Sequence, residues 1–87
     1  MYPAEVTGVT VLDGFRVELR FRDGAVKVID LDPYLRGPVF EPLRRDPAAF
    51  RAVRVDPELR TIAWPNGADL DPDVLRWGLR PAAWPAT

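Results

Sequence analysis

The stretch FRVELRFRDGAVKVID, residues 15–30, decides the fold of this 87-residue chain. Apolar and charged residues alternate from Phe15 to Arg22, the pattern of a strand with one face on the core and one in water. Asp23-Gly24 follows, and an Asp-Gly pair between two such runs favours a type I′ turn. We therefore expect an antiparallel hairpin closed by a two-residue turn.

The two-residue turn determines which residues of the hairpin lie opposite each other. It pairs Leu19 with Val28 and turns Val26 inward as well, so that one apolar face covers both strands. The same register sets Arg20 against Lys27, a like-charge pair that costs a little stability on the solvent face. We expect this register because its core face is continuous.

A further strand is expected upstream of the hairpin, over residues 6–12. It ends in a second Asp-Gly pair, Asp13-Gly14, and completes a three-stranded meander. Gly8 marks a bulge, because Val6 and Val9 cannot share a face in a regular strand.

Frequent prolines confine the chain to short elements after residue 31. Asp32-Pro33, Asp46-Pro47 and Asp71-Pro72 each place a capping carboxylate before a proline at the first helical position. Each pair predicts a short helix or a single turn. Gly37-Pro38 ends the first of them.

Two brief strands and a last helix complete the expected elements. The strands, at residues 53–55 and 61–64, are separated by a turn at residues 56–58 and extend the sheet. The helix spans residues 72–77 and ends at Gly78. The fold class is therefore α+β, with a mainly antiparallel sheet packed against two or three short helices. Residues 1–78 form a single domain, and residues 79–87 form a loosely ordered tail.

The absence of Cys, His, Ser and Gln excludes most catalytic chemistry. There is no thiolate, no imidazole base or metal ligand, and no hydroxyl that an imidazole activates. We expect no enzyme, no cofactor and no metal site. No apolar run approaches the roughly 20 residues that cross a bilayer, and the first residues lack a signal-peptide pattern. A cytoplasmic protein without membrane contact is expected.

Two groups of residues are candidates for binding a protein. The segment 64–69 gathers a ring, an amide and a carboxylate on a loop, although an Asn-Gly turn on the core explains it more simply. Exposed tryptophan and arginine anchor interfaces, but Trp77 fits equally well in the core. The candidate interaction residues are Trp64, Asn66, Asp69, Trp77, Arg80 and Trp84.

Four cations are candidates for a nucleic-acid surface on the outer face of the hairpin: Arg16, Arg20, Arg22 and Lys27. Glu18 interrupts them and no aromatic side chain alternates with them. An ordinary solvated face is the favoured interpretation. Five aspartates are better explained as helix caps than as ligands of a hard cation: Asp30, Asp32, Asp69, Asp71 and Asp73.

The order of these motifs resembles a bacterial family, the domain-of-unknown-function family 2442 (DUF2442). The resemblance rests on the V-x-L-x-F-x-D-G motif of residues 17–24, on residues 30–35 and 40–43, on Phe50 before residues 53–55, and on the segment 64–69. It implies an α+β fold and no activity. It also implies gene neighbourhoods that look like toxin–antitoxin pairs. Some relatives carry a DNA-binding helix-turn-helix after this domain, a pattern from which this chain departs.

We therefore expect a non-enzymatic protein–protein interaction module, as one component of a toxin–antitoxin-like pair. Its surface is a sheet edge or the segment from Trp77 to Trp84. The partner is another small protein encoded by a neighbouring gene, and a homo-oligomer stays open. The alternative is a nucleic-acid-binding or regulatory domain that uses the basic outer face.

Overall fold

The meander predicted around residues 15–30 is the larger of two sheets in the computed structural model, which describes residues 4–78. The fold class is α+β, as predicted. Two 3-10 turns, at Asp32–Tyr34 and Pro38–Phe40, join the meander to the helices. The strands are β1 Val6–Val11, β2 Arg16–Phe21, β3 Val26–Asp30, β4 Arg54–Asp56 and β5 Thr61–Ala63, and the helices are α1 Glu41–Arg45, α2 Pro47–Arg51 and α3 Pro72–Trp77.

The bulge predicted in the first strand is present between Val6 and Gly8. It turns Val6 into the core, where that side chain is fully buried. Gly8 has a second role, because the guanidinium of Arg20 lies against it on the outer face and a methyl group there would overlap with the guanidinium. Arg20 in turn donates to the Thr10 hydroxyl across the strand pair.

The hairpin register differs from the predicted one by a single residue. Leu19 lies opposite Lys27, not Val28. The loop has three residues, because Phe21 N–H donates to the Ala25 carbonyl at 2.9 Å. Only Gly24 has a positive φ there, at 91°, whereas a type I′ turn needs two such residues. The loop therefore matches a type I turn followed by a glycine bulge.

The slip exchanges the faces of β3. Val26 and Val28 point outward and are exposed, and Lys27 and Ile29 take the core side. The prediction that the valines face the core is therefore wrong. β2 is as predicted, since Val17 and Leu19 are fully buried.

The second sheet contains only β4 and β5, so the prediction that these strands extend the meander is wrong. They lie beside β1, and Val6 N–H donates to the Arg60 carbonyl at 3.0 Å. Arg60 closes the β4–β5 turn at a φ of 60°, a conformation that non-glycine residues adopt uncommonly.

Two of the three predicted caps are confirmed. Asp46 accepts the Ala48 N–H before α2, and Asp71 accepts two N–H groups before α3. Asp32 does not cap a helix, because it lies inside the 3-10 turn. Its own N–H donates to the carboxylate of Asp30. Helix α1 was not predicted.

The prolines at residues 38 and 42 explain α1 and the turn before it. The first 3-10 turn ends at Tyr34, before Gly37-Pro38, and Pro38 begins a second 3-10 turn that leads directly into α1. Proline fits the first turn of a helix as well as it ends one.

The core lies between the inner face of the meander, the second sheet and the helices. Its largest members are Trp64 and Phe50, whose ring centroids are 5.9 Å apart. Phe15 meets Phe50 edge-on at 5.1 Å. Among residues 4–78, no helix combines the length and the apolar character that a bilayer crossing requires. The predicted loose tail, residues 79–87, lies outside the described residues.

Candidate interaction surface

One side of β3 has no strand beside it within residues 4–78. Phe21 N–H bonds Ala25, and Leu31 N–H bonds the Phe15 carbonyl at 2.9 Å. Hydrogen-bonded pairs alternate along an antiparallel ladder, so residues 25, 27, 29 and 31 bond β2. The backbone N–H and C=O groups of Val26, Val28 and Asp30 therefore point away from the sheet. These outward groups are called the β3 edge below.

The β3 edge carries two apolar side chains on the outer face of the sheet. Val26 is 58% exposed and Val28 is 53% exposed. On β2, Arg20 lies opposite Val26 and Glu18 lies opposite Val28. Arg20 and Glu18 form an ion pair at 3.0 Å. The valines thus border an ion pair on one side and the open edge on the other.

Helix α3 is attached to the other face of the hairpin through charged groups. Lys27 Nζ donates to the carbonyls of Leu75 and Arg76, at 3.2 and 2.9 Å. These carbonyls belong to the last turn of α3, which has no helical donors for them and attracts cations. The end of α3 thus supplies hydrogen-bond acceptors for the Lys27 ammonium, whose burial on the core side of β3 would otherwise cost stability.

Arg76 makes the second attachment. Its Nη2 lies 3.0 Å from a carboxylate oxygen of Asp23 in the hairpin loop, and its guanidinium stands over the ring of Phe21. The Ala25 N–H and, next, Arg76 hold the pKa of Asp23 below its ordinary value, because both favour the ionised carboxylate.

Trp77 lies at the end of α3 and is 45% exposed. The guanidinium of Arg76 stacks on its ring, 4.2 Å from the centroid. Trp77 is therefore the one predicted interaction tryptophan that the described residues present to solvent. Arg80 and Trp84 lie outside the described residues.

Trp64 is placed in the core, with only 1% of its surface exposed. Its Nε1 donates to the Phe50 carbonyl at 2.9 Å. Asn66 holds the following turn, because its amide donates to the Val39 carbonyl and accepts the Ala68 N–H. The buried ring is out of reach of a partner, and the amide serves the turn.

Asp69 is exposed, and its backbone bridges to Ala63. Within residues 4–78, no group of three acidic side chains is arranged to hold a metal ion. Asp71 and Asp30 are occupied by backbone N–H groups, and Asp73 accepts the N–H of Ala4 at 2.9 Å. These carboxylates bind backbone and do not converge.

The four predicted nucleic-acid cations do not share one face. Lys27 lies on the core side, so the prediction that it joins the arginines on the outer face is wrong. The arginines are each paired with a carboxylate: Arg16 with Asp13 (3.1 Å), Arg20 with Glu18 (3.0 Å) and Arg22 with Glu5 (3.1 Å). Paired cations attract phosphates less strongly than free ones. The nucleic-acid alternative stays a prediction, with less support from the geometry.

Sequence reasoning missed Val26 and Val28 as candidate surface residues. One signal in the sequence points to them: the predicted register opposes Arg20 and Lys27, and a register slipped by one residue removes that clash. A three-residue loop with glycine at its last position is the next commonest hairpin connection. The clash between Arg20 and Lys27 therefore favours the three-residue loop, in which the valines point outward.

Comparison with known proteins identifies the family and nothing finer. No curated protein and no solved structure matches the chain. The model of a family described as a protein of unknown function, DUF2442, matches residues 6–81. This match includes every strand and helix described above, so the chain belongs to the DUF2442 family.

Proposed function

We propose that the protein is a non-enzymatic protein–protein interaction module. The observation that carries this proposal is the β3 edge, where unpaired backbone groups lie beside two exposed valines. Edge strands of this kind pair with other chains unless charge, proline or a bulge blunts them. A patch of exposed apolar side chains next to such an edge is typical of a binding surface.

The stacked pair of Arg76 and Trp77 supports the same proposal. Tryptophan and arginine are enriched among residues that dominate binding energies. Lys27 connects this helix end directly to β3, so the ring and the edge belong to neighbouring parts of the surface. The end of α3 that carries Arg76 and Trp77 is thus attached to β3, on the face opposite to the exposed valines.

We further assign the partner to a small cytoplasmic protein encoded by a neighbouring gene, in an arrangement like a toxin–antitoxin pair. This assignment comes from the family resemblance. The exposed valines support it to the extent that an apolar patch fits another protein better than a nucleic acid, whose backbone demands free cations.

Co-purification tests the proposal. The full chain carries a tag and is expressed together with the untagged product of the neighbouring gene. We expect a stoichiometric complex with the wild-type chain. Replacing Val26 and Val28 together by Lys should abolish recovery of the complex, because it places two charges on the docking patch.

The matched control makes the same change elsewhere. Val39 and Leu59 are also exposed, and lie outside β3, so their double replacement by Lys alters charge and hydropathy equally. This control should retain the complex. Recovery of the tagged chain alone, or equal loss of the complex in both double variants, would contradict the proposal.

A further inference from the structure

The two edges of the meander are protected differently. The β1 edge has a bulge after Val6 and is covered by β4 and β5. The β3 edge has neither a bulge nor a proline, and its one lysine, Lys27, is held on the core side by α3. Of the usual devices against strand pairing, the β3 edge thus has only the inward-pointing charge of Lys27 among the described residues, and α3 binds that charge.

The β3 edge is complementary to itself. Its three sets of outward groups, at Val26, Val28 and Asp30, are evenly spaced, so two copies can pair antiparallel about a two-fold axis at Val28. In this register Val28 lies opposite Val28 of the second copy, and Val26 lies opposite the second Asp30. It is the symmetric register that uses all three sets of groups.

The charges agree with the same register. Asp30 already lies opposite Arg16 on β2, and Arg20 lies opposite Val26. Pairing therefore places each Asp30 in a row between Arg16 of its own chain and, beyond the facing valine, Arg20 of the other. A register shifted by two residues in one direction would centre the axis on Lys27 and oppose two lysines. The opposite shift would centre it on Ile29 and use only two of the three sets of outward groups.

We infer that the β3 edge joins two copies of this chain into one continuous six-stranded sheet. The inference deepens the proposed function, on which it rests, by naming a second copy as the occupant of the edge. The four valines then form one apolar patch across the axis on the outer face. That patch is where the neighbouring protein docks.

Molar mass measured by sedimentation equilibrium on the full chain is the first test. We expect a mass that rises with concentration to twice the 9.8 kDa of one chain. Val28→Pro removes the outward N–H, which no bond among residues 4–78 uses, and so removes two hydrogen bonds per dimer. The dimer dissociation constant should rise about 10- to 100-fold. Val28→Thr keeps the N–H and should leave this constant nearly unchanged.

A cross-link tests the register without depending on the proline variant. The wild-type chain has no cysteine. In the inferred dimer, Val28→Cys brings two thiols together at a Cα separation of about 5.5 Å, within disulfide range. Diamide, a two-electron oxidant, should couple them. In Val26→Cys each thiol faces Asp30, and its coupling should be at least about tenfold slower, because the two Cα atoms lie beyond disulfide range.

The outcomes separate this inference from the proposed function. A chain that is monomeric at all concentrations, or equal coupling of the two cysteine variants, overturns the self-pairing. If that monomer still binds the neighbouring protein, the interaction module stands without it. A dimer that loses affinity in Val28→Pro and couples through Val28→Cys supports the inference, whether or not the neighbouring protein is recovered.

Discussion

The two edges of the meander carry out different tasks. The β1 edge is closed: Val6 donates to Arg60, and the β4–β5 hairpin leads from there to Trp64 in the core. The β3 edge is open, with exposed valines outside and a lysine tied to α3 inside. An edge that is covered by the chain itself contributes to stability. An edge that is left uncovered contributes little to stability and is available for binding.

This difference has a simple physical origin. Closing β1 buries large side chains, and burial is the main favourable term in folding. Covering β3 within the described chain would hide two valines and a few backbone groups. A small domain buries a limited share of its surface, so a modest apolar edge can stay available for a partner at little cost.

The largest expected effect lies on the closed side. Trp64→Ala should lower the free energy of unfolding by about 3–5 kcal/mol, because it leaves a large cavity in the core and removes the hydrogen bond to the Phe50 carbonyl. Trp77→Ala is the control and should cost no more than about 1 kcal/mol, the value of its stacking on Arg76. Urea unfolding followed by circular dichroism measures both. Equal losses would remove the distinction between the two sides.

The second effect concerns the attachment of α3 to β3. Lys27→Met keeps the apolar stem but leaves two helix-end carbonyls without their cation, so unfolding should become easier by about 1–3 kcal/mol. Arg36→Met is matched, since Arg36 also donates to a backbone carbonyl, that of Pro33, but on the surface. Its cost should stay within about 0.5 kcal/mol. Urea midpoints that do not distinguish the two variants would show that the attachment is dispensable.

A smaller effect depends on pH. The pKa of Asp23 is lowered in the folded state, so its carboxylate stabilises the fold above the ordinary value of 3.8, and this stabilisation is lost as the pH falls through the lowered pKa. The stability difference between the wild-type chain and Asp23→Asn should be constant near neutral pH and shrink in acid.

Arg76→Met provides the control for this pH dependence. It removes the second cause of the lowered pKa and should reduce the acid-sensitive part of the stability without abolishing it, because the Ala25 N–H remains. Thermal unfolding across the acid range measures both variants. A difference between the wild-type chain and Asp23→Asn that does not change with pH would contradict the assignment.

The smallest effect is expected at the open edge itself. Val26→Thr exchanges a methyl group for a hydroxyl in water and should change the free energy of unfolding by less than about 0.5 kcal/mol. The same change at Val17, which is fully buried, should cost about 1–3 kcal/mol because the hydroxyl enters the core. A large loss for Val26→Thr would contradict the exposure of the Val26 side chain on the outer face.

Much of the fold follows from local patterns that need no distant partner. Alternation over residues 15–22 predicts β2 and its inner face, Gly8 predicts the bulge, and Asp46 and Asp71 predict their caps. Each is decided by neighbours in the chain. The candidate site was predicted less well. Trp64, a candidate interaction residue, is buried in the core, whereas Val26 and Val28, which were assigned to the core, are exposed.

The sequence by itself determined the α+β class, the order of the meander and the family. The tertiary structure decided the register of β3, because Asp23-Gly24 suits a two-residue or a three-residue loop and the clash between Arg20 and Lys27 is only a small cost. The deciding contacts come from α3, where Lys27 meets a carbonyl 49 residues away and Asp23 meets Arg76 at a separation of 53. Contacts that distant leave no periodic signal, and they turn Val26 and Val28 toward water.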